Sequence, residues 1–228
     1  MYFYLLLGRE LAQRLDQRES AASWIGLTRE LSSGLAVSGK ADYEAPVDGV
    51  PESKLSIYGS HLTVLTFSER EAAEAADALI TKRIAELAKQ DDHCWDVRRR
   101  LLEQVDRFPP SPSRTDSIRP HAAMFQVSWK VPQDLQPSFS EWYEGHLRWH
   151  SDTFAALDAR RLVPVAEPSQ PSSYPYDVTA MYWFEQPQEV IDMCVDLVER
   201  GKRGWPDVAQ WSARTLSDRS PFILISGD

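Results

Sequence analysis

Cysteine is scarce in this 228-residue chain: Cys94 and Cys194 are its only two, too few for the disulfide framework that staples small secreted folds. The ten glycines are scattered, so there is no glycine-rich phosphate loop and no G-x-S-x-G elbow. Nucleotide cofactors and serine hydrolysis are therefore disfavoured. Long hydrophobic runs are missing too. The opening stretch Met1–Leu7 is apolar for too few residues to form a signal-peptide core or a membrane span, and it lacks a basic leader. It reads as a buried first strand, and a cytoplasmic protein is expected. Positive charge is also short: 25 Lys and Arg face 34 Asp and Glu, a net charge of −9. That balance argues against a nucleic-acid or membrane partner, both of which need a clustered positive field. The one compact basic run, Arg98-Arg99-Arg100, lies near Asp91, Asp92, Asp96 and Glu103 and reads as a solvated helix face.

What the chain does have is apolar and aromatic. Hydrophobic residues make up 43%, with eight Trp and eight Tyr, enough for one large core or two smaller ones. Such an aromatic load can line a pocket for a flat ligand or simply fill a core. Near mid-chain, the Pro- and Ser-rich run Phe108–Pro120 marks a linker over residues 109–120, between units at 1–108 and 121–228. The same plan appears on both sides: an apolar strand (Tyr2–Leu7, Ala122–Val131), a helix (Ala21–Leu31, Phe139–Leu157), a strand after an irregular stretch (His61–Phe67, Val178–Phe184) and a second helix (Ala72–Leu87, Gln188–Arg200). Trp95-Asp96-Val97 is echoed by Trp205-Pro206-Asp207-Val208. An internal duplication follows, with a period near half the chain. Each half is expected to run strand, helix, strand, strand, helix, strand, an antiparallel sheet with both helices on one face. Two such sheets face to face enclose an interior lined by alternate strand residues. Phe125, Val127 and Trp129 share one strand face. Met124, Gln126 and Ser128 share the more polar one, the better candidate for lining a cavity.

The richest segment is the helix at Phe139–Leu157. It places Phe139, Trp142, Tyr143, His146, His150, Thr153, Phe154 and Leu157 on one face and Glu141, Glu144, Arg148 and Asp152 on the other. Ser138 with Glu141 three residues on reads as a capping box. Imidazole titrates nearest physiological pH, so two histidines turned toward an apolar interior suit proton transfer. His146 and His150 stand at the i, i+4 spacing of a zinc pair, but no further ligand lies nearby in sequence, and no metal site is expected. His61, His93 and His121 fall at element edges and read as structural or exposed.

The run Phe139-Ser140-Glu141-Trp142-Tyr143-Glu144-Gly145-His146 resembles the F-x-x-W-Y-x-x-H helix of the dimeric α/β-barrel superfamily, especially its EthD-like members. Thr179–Glu185, then Pro187, is similar to the family's third strand and the start of its next helix. The likeness covers most of Ala122–Asp228. The first half fits in layout alone, for Ser20–Leu31 holds Trp24 but no histidine, so the first repeat is expected to lack the catalytic helix. The resemblance implies an α+β fold: tandem ferredoxin-like repeats forming an intrachain dimeric α/β barrel with a central cavity, often catalytic without any cofactor. Family members include polyketide cyclases, decarboxylases, lactone isomerases and cofactor-free quinone-forming monooxygenases. Others bind haem or have no known catalytic role. The family's helix histidine carries over to His146; His150 is added by helical geometry.

The expected function is thus a cofactor-independent cyclase, lyase or isomerase acting on a polyketide-like or phenolic small molecule in secondary metabolism. His146, with His150, would serve as general acid/base, and Tyr143 or Tyr182 would donate to the developing enolate. Trp142, Gln126, Ser128, Tyr176 and Trp183 would bind the substrate. The Pro-rich segment Pro164–Asp177 can fold over the cavity as a lid. No cofactor and no metal are expected, and a homodimer is compatible with the fold. The alternatives are a cofactor-free aromatic monooxygenase and a non-catalytic binding or assembly protein.

Overall fold

A strand as apolar as Tyr2–Leu7 must be covered on both faces. A computed structural model, describing residues 1–11, 17–46, 48–51, 59–90, 94–109, 121–165, 174–203 and 216–227, provides that cover. The first half comprises β1 (Tyr2–Glu10), α1 (Gln17–Ser32), β2 (Gly39–Glu44), β3 (His61–Phe67), α2 (Arg70–Leu87) and β4 (Trp95–Phe108). The second comprises β5 (Ala123–Lys130), α3 (Gln136–Phe154), β6 (Asp158–Pro164), β7 (Val178–Phe184), α4 (Pro187–Arg203) and β8 (Leu216–Gly227). The strands close into one antiparallel barrel in the order β1-β3-β2-β8-β5-β7-β6-β4. Cut at the β2–β8 and β6–β4 seams, it gives β4-β1-β3-β2 and β8-β5-β7-β6, the same order four strands apart. The fold is the expected α+β tandem barrel within one chain. Residues 110–120, most of the expected linker, lie outside the described residues. Among the described residues no helix is long and apolar enough to cross a membrane.

Alternation along each strand separates two apolar compartments. Phe3, Leu5 and Leu7 of β1 point into the barrel with Leu62, Leu102, Met124 and Phe222. Tyr4 and Leu6 point outward, beneath α1 and α2, with Trp24, Leu65 and Ile80. In the second half Phe125, Val127 and Trp129 lie beneath α3 and α4, against Phe139, Tyr143 and Met193. Trp24 presses directly on the β1 backbone: a Cβ on Gly8 would come within 2.0 Å of its ring.

Two local expectations are corrected. α3 starts at Gln136 rather than after Ser138, because a turn of 3-10 helix at Gln133–Leu135 leads into it and Pro137 suits the first helical turn. The Ser138 hydroxyl donates to the Leu135 carbonyl at 3.1 Å instead of forming a capping box. The helix stops at Phe154, where Ala155 turns left-handed (φ 53°); the Leu157 amide already donates to the Trp183 carbonyl. The second correction concerns Arg98-Arg99-Arg100, which is strand and not solvated helix. On β4 the three side chains alternate, and Arg99 is buried on the outer side with its guanidinium 2.5 Å from Asp77 of α2. Asp77 also accepts from the Tyr4 hydroxyl at 3.0 Å, while burial and the Asp77 charge push the Tyr4 phenol upward so that it keeps its proton.

That triad ties α2 to β1 and β4. Asp77→Ala strands the Arg99 cation in the apolar layer and is expected to cost about 3–5 kcal/mol, read as a lowered midpoint in urea denaturation. An unchanged midpoint would mean that Arg99 escapes to solvent.

Candidate active site

Register across three strands assembles a polar cluster inside the barrel. Ser128 of β5 stands opposite Thr179 of β7 and opposite Asp218 of β8, so all three side chains enter the interior at one level. Gln126 follows two residues away on the same face. Tyr174, just before β7, reaches in from the barrel end. The Gln126 amide donates to Ser128 Oγ at 2.7 Å and to the Tyr174 hydroxyl oxygen at 2.6 Å. Ser128 and Thr179 share a 2.7 Å hydrogen bond, and the Tyr174 hydroxyl donates to Asp218 Oδ2 at 2.8 Å. All five are buried. Burial first, and then the Asp218 charge, pushes the Tyr174 phenol well above its ordinary range, so Tyr174 is a proton donor at neutral pH. Gln126 Oε1 is buried with no hydrogen-bond partner among the described residues. Tyr176 packs on Tyr174, with ring centroids 4.6 Å apart.

Along the wall, Arg160 of β6 sits buried above the rings of Phe3 and Trp183, 5.5 and 5.7 Å from their centroids. Its Nε and Nη2 both donate to Asp158 Oδ2, at 3.0 and 2.8 Å. Arg107 of β4 binds the same carboxylate through two nitrogens. Beside Trp183 and Tyr43 the interior holds a cavity of about 10 Å³, also lined by Ala41, Val64 and Thr66, room for about one water.

The expected site residues fall into two compartments. Gln126, Ser128, Tyr176 and Trp183, the expected substrate contacts, all point into the barrel. Tyr143, Tyr182, His150 and His146, the expected acid–base group, come together on the other side of the wall with Trp142, because α3 packs on the outer sheet face. There Tyr143 and Tyr182 join hydroxyls at 2.9 Å, and the His150 ring lies 4.1 Å from that of Tyr182. His146 is half-buried, stacked on Trp142 at 4.7 Å and near Trp149 at 5.4 Å. Neighbours Tyr182 and Trp183 mark the divide, one facing each way. Of the interior residues that sequence reasoning missed, Thr179 and Asp218 were within reach: period two from Trp183 or Phe222 selects them. Tyr174 carried no such signal, since it belongs to an irregular Pro-rich stretch. Residues 166–173 of the expected lid lie outside the described residues.

His61, expected to be structural or exposed, is buried outside the first-half sheet between Trp24 and Trp95, with Nδ1 3.0 Å from Ser60 Oγ. Among the described residues, no three His, Cys, Asp or Glu side chains converge as metal ligands would.

No protein-family model matches the chain, and no curated protein matches it in sequence. Solved structures do match. An anthrone oxidase-like protein superposes with a TM-score of 0.56 at 10% identity, over all of this chain and 92% of that one. A chlorite dismutase variant from Candidatus Nitrospira defluvii superposes at 0.50 and 8% identity, over 99% and 91%. A proposed monooxygenase from Fusobacterium nucleatum reaches 0.49 at 7% identity, over 100% and 94%. The first two share this chain's fold, a dimeric α/β barrel. At such identities the likeness is one of architecture.

Burial lowers the His61 pKa to about 4, against a small opposing effect of Glu10. The unfolded chain takes up that proton from about pH 6.5 downward, so acidification toward pH 4 favours unfolding, by at most about 3 kcal/mol. Urea midpoints should fall between pH 6.5 and 4 more steeply in the native protein than in His61→Phe. An NMR titration showing His61 protonated at pH 6 would contradict this.

Proposed function

We propose that the barrel interior binds a small phenolic or β-dicarbonyl molecule of polyketide type and moves a proton on it with side chains alone, as a cyclase, lyase or isomerase of secondary metabolism. The observation that carries this reading is the buried Tyr174–Asp218 pair, a phenol that keeps its proton 2.8 Å from a carboxylate, with the Gln126 amide on the same phenol oxygen. A methylene between two carbonyls is acidic enough to yield a proton to a desolvated carboxylate, provided a donor meets the oxygen on which charge develops. Tyr174 is that donor. When a substrate carbonyl takes over its hydrogen bond, the Asp218 carboxylate is released to accept the C–H proton. The resulting acid then returns the proton to carbon or to a departing hydroxyl. Tyr176 and Trp183 supply flat apolar surfaces for a ring, and Gln126 and Ser128 fix its polar edge. On this reading His150, His146, Tyr143 and Tyr182 brace the wall from outside.

The anthrone oxidase-like neighbour favours a second reading. The same proton abstraction would yield a carbanion that reacts with molecular oxygen, as in a cofactor-free monooxygenase.

The experiment combines Trp fluorescence titration with phenolic and β-dicarbonyl compounds and turnover of those that bind. Asp218→Asn should lower kcat by about 10²–10⁴-fold while ligand still binds, and His146→Ala should leave kcat within a few-fold. The reverse pattern, with His146→Ala folded but inactive, would move the base to α3. Oxygen consumption in step with product would select the monooxygenase reading. Absence of binding across the panel would favour a non-catalytic barrel.

A further inference from the structure

The arginines of β4 and β6 are matched to carboxylates almost throughout. Arg98 faces Asp96 at 3.1 Å and Arg99 faces Asp77 at 2.5 Å. Arg107 and Arg160 share Asp158, and Arg161 pairs with Asp106. Arg100 is the exception: it makes no ion pair among the described residues. It stands opposite Leu5 on β1 and alternates with Leu102, both of which face the interior, so its side chain enters the barrel. Its Nη1 donates to the Tyr174 backbone carbonyl at 3.1 Å. Its Nε–H is buried with no acceptor among the described residues.

A guanidinium carries five donors and stays charged, and burying one without an anion is costly. Burial pulls the Arg100 pKa down, with partial compensation from the Asp177 charge. Asp177 is itself engaged, accepting the Val131 amide at 3.0 Å. The wall therefore holds a half-buried cation that no carboxylate of the described residues meets in an ion pair and that the Asp177 charge compensates only in part, at the residue whose hydroxyl meets Asp218. The five neighbouring pairs show that this wall readily provides carboxylates where a structural arginine needs one.

We infer that Arg100 is the subsite for a carboxylate on the ligand, so that the molecule bound in the barrel is an aromatic or β-keto acid held by Arg100 at one end and presented to Tyr174 and Asp218 at the other. This rests on the barrel interior being the binding site, as proposed above. A planar guanidinium accepts a carboxylate side-on through two parallel hydrogen bonds, which fixes the ligand's direction as well as its charge. Arg100 is thus a positioning and specificity residue, and the proton transfer stays with Asp218.

The test uses the full chain and matched probes: benzoate, salicylate and phenylacetate, each against its primary amide, with affinity read by Trp fluorescence and by calorimetry. At least one acid should bind about tenfold or more tightly than its amide, as loss of a charge-assisted hydrogen bond requires. Arg100→Gln should erase that preference, and Arg100→Lys should retain part of it. In the native protein the Arg100 Nε–H proton resonance should shift on adding the acid and not the amide; this readout also decides the matter if Arg100→Gln does not fold. Equal binding of acids and amides, no binding by any acid at millimolar concentration, or acid affinity unchanged in Arg100→Gln would each overturn the inference. Asp218→Asn separates the two readings. Acid binding that depends on Arg100, with no turnover lost in Asp218→Asn, keeps the carboxylate subsite and discards the proposed base.

Discussion

Closure of the sheet governs everything else in this molecule. With β2 paired to β8 and β4 to β6, no strand of the ring has an unpaired edge, and the protein needs none of the devices that guard exposed edges. Closure also gives each strand two faces to fill, the barrel interior and the layer under the helices. This accounts for a β1 and a β7 with hardly a polar outward position, and for the aromatic abundance. Eight strands leave an interior that side chains alone can nearly fill, and here Phe3, Tyr43, Tyr174, Tyr176, Trp183 and Phe222 take much of that space.

Arg100 apart, the arginines of β4 and β6 enter the wall in matched sets. Arg160 and Arg107 converge on Asp158, and Tyr4 and Arg99 converge on Asp77, so each buried charge has a charged neighbour and each carboxylate has at least two donors. Pairs of this kind add little net stability over apolar packing, but losing one partner is expensive. They therefore fix which strand lies against which helix. The Tyr174–Asp218–Gln126–Ser128–Thr179 network differs in kind. It is built mostly of neutral groups, and its amide oxygen Gln126 Oε1 has no hydrogen-bond partner among the described residues.

The architecture was legible in the sequence because it depends on periodicity. β3 and β7 fall where apolar runs put them, and the polar face of β5, Met124-Gln126-Ser128, does turn inward. The repeated element order gave the paired sheets. Legibility failed where tertiary context outweighs local pattern. Arg98-Arg99-Arg100 looks like a soluble surface until Asp77, a distant residue in sequence, is brought beneath it. The stripe of Trp142, His146 and His150 marks a buried helix face correctly, yet a helix stripe cannot say which side of the sheet it covers. A strand face can, and Gln126 with Ser128 pointed the other way from Tyr182. Tyr174 lay beyond pattern altogether, placed by tertiary contact from an irregular segment.

The same divide bears on where proton chemistry belongs. His150 is wedged among Phe125, Phe154 and Tyr182, and those rings occupy the approaches to it. His146 is a member of an indole stack on the flank of α3. Both imidazoles stand on the wrong side of the wall for a ligand in the barrel. The interior carries no histidine among its described residues, so on the proposed reading a carboxylate supplies basicity there. A carboxylate in water is too weak a base for carbon acids. One donor to the Asp218 carboxylate is the Tyr174 hydroxyl, which on that reading can turn to the ligand. On the proposed reading, ligand binding itself would switch on the Asp218 base by drawing Tyr174 away, which couples recognition at the carbonyl to proton abstraction beside it.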